Sequence, residues 1–379
     1  MQQGVLITRE PVVNKQRAIT ANRLIVHAPN MAEATAALNS LSEVWPSEHM
    51  VFLSLGKLVP TPELLGWQVP PNTMVEIPAQ TLQHPHTQEL LAQLNATGVP
   101  LGLAWYQPGV QWPEGVDCRF SLADARRVAS PAGAPGLVLA WGLGDLTSFA
   151  PAVAAGYAGA AGMFFLRGTN AAAKLEASHA QIVRLLNLVR QNADIAEIEA
   201  ALKQDVTLSY KLLRYINSAG FGLMVEVQSF RHAVTILGMD KLNKWLSLLL
   251  VSASRDPGAP AVMQAAIARG RLMELLGAQM FDKSELDNLF ITGAFSLLDV
   301  LLNTSLDAIL EHMALPASIT DALLHNEGSY APLLNLARAT ETFLPDALRH
   351  QCETLGIPPS DVASALVRAV GFADGLNFG

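Results

Sequence analysis

Residues 23–44, RLIVHAPNMAEATAALNSLSEV, open on a strand-like apolar run, RLIVHA (23–28), and pass into a segment with helical spacing over 31–44. A strand followed by a helix is the repeating unit of a parallel sheet. The same unit recurs along the first 168 residues. Strand-like runs are GVLITRE (4–10), RLIVHA, MVFLSL (50–55), TMVEIP (73–78), LGLAW (101–105), DCRFSL (117–122), GLVLAW (136–141) and GMFFL (162–166). Helical patterns fill the gaps near 31–44, 86–97, 122–130 and 146–155. Eight such strands predict a barrel. The span is short against the roughly 250 residues of a full (β/α)8 barrel, so some crossover helices must be trimmed or missing.

After RGTNAAAK (167–174), which reads as a linker, the period changes. Leu208, Leu212 and Tyr215 repeat at i, i+4 and i+7, one apolar stripe on a helix whose other face carries Lys211 and Arg214. Ser229 is placed to cap a helix that Gly238 stops, and Ser284 to Asp287 and Thr304 to Asp307 fit the Ser/Thr-x-x-acid start signal. Pro316, Pro345 and Pro359 sit near later helix starts. The expected fold class is therefore α/β plus all-α: a truncated or modified (β/α) barrel over 1–168, a linker over 169–177 and a helical bundle over 178–379.

Half of the 379 residues are hydrophobic, enough to bury a sizeable core and to divide into two domains. Cys118 and Cys352 form no CxxC motif. They suggest neither a disulfide framework nor a zinc knuckle, and a reducing, cytoplasmic setting fits. The opening MQQGVLITREP lacks the basic start and apolar stretch of a secretory signal. The charge-free run over 146–166 has spanning length but is rich in Ala and Gly, and it reads as a short helix, a glycine turn and a buried strand. No membrane partner is expected.

Net charge is −8, spread as −2 over 1–173, +3 over 174–255 and −9 over 256–379. The acidic last third argues against a nucleic-acid surface, because neutralising phosphate needs clustered Lys and Arg. The positive middle third is the better contact region for an acidic partner.

Residues 205–238 carry DVTLSYKLLRYINSAGFG and then VQSFRHAVTILG. Asp205, Leu208, Asn217, Ser218, Ser229, Ala233, Leu237 and Gly238 stand at the hallmark positions of the HDOD domain, which this half resembles over about 178–350. The stretch TGAFSLLDVLL (292–302), read as the middle of a buried helix, resembles the form this domain takes in bacterial EAL-plus-HDOD signalling proteins. The resemblance implies a helical fold like that of HD phosphohydrolases without their metal ligands. None of the nine histidines is followed by Asp, and Ser296-Leu297 stands where the His-Asp pair would be.

That resemblance invites comparison of the first half with EAL domains, the cyclic di-GMP phosphodiesterases. REPVVNKQ (9–16) resembles their opening segment, keeping Arg9 and Pro11. The signature Glu falls on Arg23, VFLSL lacks the metal-binding Asn, and VEIPA (75–79) keeps Glu76 but has Ala79 for the second Glu. The Asp-Asp pair falls on Ala104-Trp105, the water-orienting Lys near Arg119-Phe120, and a distal Glu on Trp141. No Asp-Asp dipeptide and no Glu-Ala-Leu tripeptide occurs in the chain. Two-metal hydrolysis needs several converging carboxylates, so the resemblance implies a degenerate EAL-like barrel. Trp105 and Trp141 are expected to fill its mouth.

The resulting expectation is a non-enzymatic signalling scaffold, without cofactor or metal, acting through contacts with an unidentified signalling protein in motility, biofilm or stress responses. A cyclic di-GMP-binding effector and a metal-dependent phosphohydrolase with an unrecognised site are the alternatives. Arg9 and Glu76 in the first half, and Arg214, Asn217, Arg231 and His232 in the second, are the candidate ligand or partner contacts.

Overall fold

The computed structural model describes residues 4–167, 177–203 and 258–376, with scattered positions between 229 and 247. The chain divides into two compact units, Met1–Gly168 with Arg338–Gly371, and Thr169–Ala337 with Phe372–Gly379. The helical part expected as one stretch over 178–379 is thus divided, residues 338–371 grouping with the barrel strands.

Eight strands close the barrel in sequence order: β1 (Leu6–Asn14), β2 (Ile19–His27), β3 (Met50–Ser54), β4 (Thr73–Pro78), β5 (Leu101–Ala104), β6 (Phe120–Asp124), β7 (Leu137–Trp141) and β8 (Gly159–Ala161). From β2 to β8 the neighbours are parallel, whereas β1 runs antiparallel to both β2 and β8. The reversal follows from a tight turn. Asn14 Oδ1 accepts from the amides of Gln16 (2.9 Å) and Ala18 (3.1 Å), and Arg17 takes φ +62°. That side-chain turn returns the chain as a hairpin before any helix can form.

Helices α1 (Met31–Ser40) and α2 (Pro85–Ala96) follow β2 and β4, and α3 (Phe149–Ala154) precedes β8. No helix lies between β5 and β6 or between β6 and β7, the trimming that the short span required. Alternation sends every second residue inward. Val12, Ala21, Phe52, Phe120, Leu122, Leu139 and Ala161 form the apolar interior, with Phe52 stacked on Phe120 at 4.1 Å. Gly102 faces that stack; a Cβ there would lie 2.2 Å from the Phe120 ring, so the ring fills the space a side chain would take.

Three sequence expectations are corrected. GMFFL (162–166) is no strand: β8 is the preceding Gly159–Ala161, and Phe164–Leu166 form a 3₁₀ turn whose Phe164 stacks on Phe149 at 5.3 Å. Helix over 122–130 is absent, because β6 continues to Asp124, whose carboxylate accepts the Arg126 amide and turns the chain. The helix expected through 292–302 breaks, with Leu297 at φ −127° between Phe295 and Leu298.

In the second unit, α4 (Ala177–Arg190) and α5 (Ile195–Lys203) precede α6 (Ala259–Gly277) and α7 (Lys283–Phe295), and α8 (Leu298–Leu302) follows the break. Gly270 and Gly293 let α6 and α7 touch backbone to backbone; a Cβ on Gly293 would lie 2.5 Å from Gly270 Cα. Among the described residues no helix is long and apolar enough to cross a membrane.

Candidate functional site

One layer above the apolar interior the barrel turns polar. Two residues beyond Ala21, Phe52, Met74 and Leu139, on the same faces, stand Arg23, Ser54, Glu76 and Trp141; on antiparallel β1, Glu10 lies two before Val12. The hairpin register sets Glu10 directly opposite Arg23. Period-two alternation therefore delivers a guanidinium, two carboxylates, a hydroxyl and an indole to one level.

Arg23 is fully buried and holds both acids. Its Nε and Nη2 donate to the two oxygens of Glu76 at 2.7 and 2.8 Å, a bidentate pair, and Nη1 donates to Glu10 Oε2 at 2.6 Å. Nη2 also reaches Ser54 Oγ at 3.1 Å. Glu10 accepts in addition from Trp141 Nε1, at 3.0 and 3.2 Å. Burial alone would lower the Arg23 pKa, but the charges and hydrogen bonds of Glu76 and Glu10 outweigh it and hold the pKa above the ordinary arginine value.

Aromatic rings close the layer. Trp105 and Phe343 lie 5.3 and 5.6 Å from the guanidinium carbon, and Trp105, Trp141 and Phe343 meet edge to face at 5.0 to 5.5 Å. Such desolvated cation–π contacts contribute about 2 kcal/mol. Trp105 sits at φ +63°, a left-handed conformation that costs a bulky residue about 1–3 kcal/mol and persists only where surroundings enforce it. Phe343 arrives on a segment tied to β1 by the Arg9 amide, which donates to the Thr340 carbonyl at 2.7 Å.

Beside this centre a cavity of about 230 Å³ opens at the ends of β2 and β3, lined by His27, Lys57, Phe343, Leu344, Asp346 and Arg349 among others. His27 Nε2 lies 2.9 Å from Thr8 Oγ1. Burial first, then the charges of Arg349, Arg23 and Lys57, push its imidazole down to about 4, leaving the ring neutral at pH 7. The cavity therefore has two fixed cations and one carboxylate, a setting for an anionic group.

Of the sequence candidates, Glu76 is at the centre. Arg9 is not: it neighbours Glu10 on β1 and so faces away from it, its Nε donating to Asn22 Oδ1 at 2.8 Å. Arg231 pairs with Glu199 at 3.2 Å, and the His232 amide donates to the capping Ser229 Oγ at 3.2 Å. These belong to the second unit and form no part of the barrel centre. Arg214 and Asn217 lie outside the described residues. Ser296 is buried, accepting from Arg269 Nη1 at 2.6 Å and donating to the Gly293 carbonyl at 2.6 Å. Cys352 is buried and Cys118 half-buried; burial raises both thiols to about 11, which keeps them protonated and unreactive.

Sequence reading missed Glu10 and Arg23 as a pair, although the turn after Asn14 fixes a register that sets them opposite. It also missed His27, Lys57, Arg349 and Phe343, which only tertiary structure assembles.

The metals of an EAL-type centre do not fit these residues. Arg23 already bridges the two converging carboxylates, and the side chains of Ala104 and Trp105 bring no oxygen ligands. Among the described residues no group of three or more His, Cys, Asp or Glu side chains comes together to hold a metal ion.

Residues 175–302 match the HDOD domain family. CdgJ, a cyclic di-GMP phosphodiesterase of Vibrio cholerae, is 30% identical over 184 residues, 48% of this chain and 43% of that protein. YuxH of Bacillus subtilis, an uncharacterized protein, is 26% identical over 162 residues, 42% of this chain and 39% of that protein. The chain thus spans about two fifths of the length of these curated relatives. The EAL domain of FimX from Pseudomonas aeruginosa, solved bound to c-di-GMP, is 14% identical, with a TM-score of 0.33 over 44% of this chain and 90% of that one. The likeness to a cyclic di-GMP phosphodiesterase overturns the expectation of a non-enzymatic scaffold, which rested only on the missing metal ligands.

Proposed function

We propose that this chain acts in cyclic di-GMP turnover as a phosphodiesterase, with an EAL-like barrel as its first domain and an HDOD domain over 175–302. The observation that carries this reading is the 30% identity to CdgJ over 184 residues. The cationic cavity beside the barrel centre supports it, since Lys57 and Arg349 suit a phosphodiester anion. In this reading water forms the new bond to phosphorus, one P–O ester bond breaks, and the leaving sugar oxygen takes the proton. The helical part docks a signalling protein, and the chain works in the cytoplasm.

The test is incubation of the full chain with cyclic di-GMP, followed by chromatography and mass analysis. A linear dinucleotide one water heavier than the substrate is expected, lost in Glu76→Gln. Absence of product above the no-protein control contradicts the reading.

Phe343 and Leu344 line the mouth side of this cavity together with Pro345, Asp346 and Arg349. In this reading the Phe343 ring competes with the dinucleotide for space at the cavity, and displacing it lowers the apparent affinity by the fraction of molecules in which the ring is in place. Phe343→Ala is therefore expected to bind cyclic di-GMP about tenfold more tightly by titration calorimetry. Unchanged or weaker binding would show that the ring does not stand in the ligand's way.

A further inference from the structure

We infer that the guanidinium of Arg23 occupies the place of a divalent cation in this barrel, so that the centre carries its positive charge covalently and takes up no metal. Four oxygens, two of Glu76 and one each of Glu10 and Ser54, converge on this one group from β4, β1 and β3 at 2.6 to 3.1 Å. Oxygen ligands of this kind, two of them carboxylates, suit a hard divalent ion. Here four N–H···O contacts replace metal coordination, and the planar fork gives a fixed charge that neither exchanges nor needs supply. The guanidinium carbon lies 5.3 and 5.6 Å from the centroids of the Trp105 and Phe343 rings, which pack against each other on one side of it.

Two consequences separate this assignment from a merely structural salt bridge. Shortening Arg23 would leave two buried carboxylates facing a hydroxyl across an empty space, a site that a divalent ion would enter. The native chain, in contrast, would bind no such ion there. The assignment deepens the proposed reaction only by removing a metal requirement at the barrel centre, and metal binding can be measured whether or not the chain hydrolyses anything.

Full-length wild type, Arg23→Ala, and Arg23→Ala combined with Glu76→Gln are stripped with chelator and titrated with Mn²⁺, following free Mn²⁺ by electron paramagnetic resonance and stability by thermal melting. Arg23→Ala is expected to bind one Mn²⁺ that wild type does not, with a melting temperature that climbs with Mn²⁺ concentration, and the added Glu76→Gln change is expected to abolish both effects. An Arg23→Ala chain that folds only when Mn²⁺ is supplied counts in favour. One that folds and binds none, or that stays unfolded with Mn²⁺ present, overturns the assignment. So does a wild type that binds one Mn²⁺ which Glu76→Gln alone removes.

Discussion

Arg23→Ala is expected to lose about 3–5 kcal/mol of folding stability in metal-free buffer, the cost of breaking a buried ion pair by removing one partner. Most of the loss is not the value of the contacts themselves. Glu10 and Glu76 are 5% and 1% exposed, and without the guanidinium two like charges would face one another out of reach of water. Among the described residues Trp141 would still donate to Glu10. Loss of packing adds to the cost, because Trp105 and Phe343 lie against the guanidinium. Replacing all three charged groups together, with Arg23→Met, Glu10→Gln and Glu76→Gln, is expected to recover most of the loss, since no uncompensated charge remains. Urea unfolding of the three proteins checks this. Equal destabilisation of the single and triple variants would mean that shape, not charge, dominates the layer.

The second large effect depends on pH. His27 is neutral in the folded chain down to about 4, whereas an unfolded histidine takes up a proton near 6.5. Between those values the unfolded state binds more protons than the folded one, so stability rises with pH through the window and falls on acidification. At pH 7 the imidazole contributes no penalty. By pH 4 the loss amounts to about 2–3 kcal/mol for a shift of this size. The groups facing it are Arg349, Arg23 and Lys57, which repel the protonated ring, and Asp346, which favours it. Carboxylates titrate in the same range, so the informative quantity is a difference. His27→Gln is expected to lose less stability than wild type between pH 7 and pH 4.5, by urea titration at both. Parallel profiles would show that His27 takes its proton in the folded state as easily as in the unfolded one.

Most of the barrel is legible along the chain because its strands are short apolar runs between turns, as in TMVEIP, where β4 begins and ends at the expected residues. β8 is not legible. Gly159–Ala161 is three small residues with no pattern of its own, held in place because its backbone pairs with Val12, Val13 and Asn14 of β1. The neighbouring Phe164 and Phe165 supply the hydrophobicity that reads as a strand, but they pack as a turn. A similar confusion lies behind the helix over 292–302. Its apolar composition suits a continuous helix, while the Ser296 hydroxyl, bonded back to the Gly293 carbonyl and held by Arg269, marks where it stops.

The site divides along the same line. Glu76 can be singled out because it sits on a clear strand, and the Glu10–Arg23 pairing could be counted from the hairpin. Bringing Glu76 onto Arg23 needs closure of the barrel, and bringing Phe343 over it needs a segment more than 300 residues away along the chain. No local signal in TFLPD (342–346) announces that its aromatic ring ends beside two tryptophans. The likeness to a cyclic di-GMP phosphodiesterase overturns a reading made from missing metal ligands, because a list of lost carboxylates does not contain the charges that the barrel brings together at Arg23.

The most direct test is turnover of cyclic di-GMP by the metal-stripped full chain, comparing excess chelator with added Mn²⁺. Linear dinucleotide forming at the same rate in both, and vanishing in Glu76→Gln, is the predicted result. Turnover that chelator abolishes and Mn²⁺ restores, or no turnover in either buffer, would contradict it.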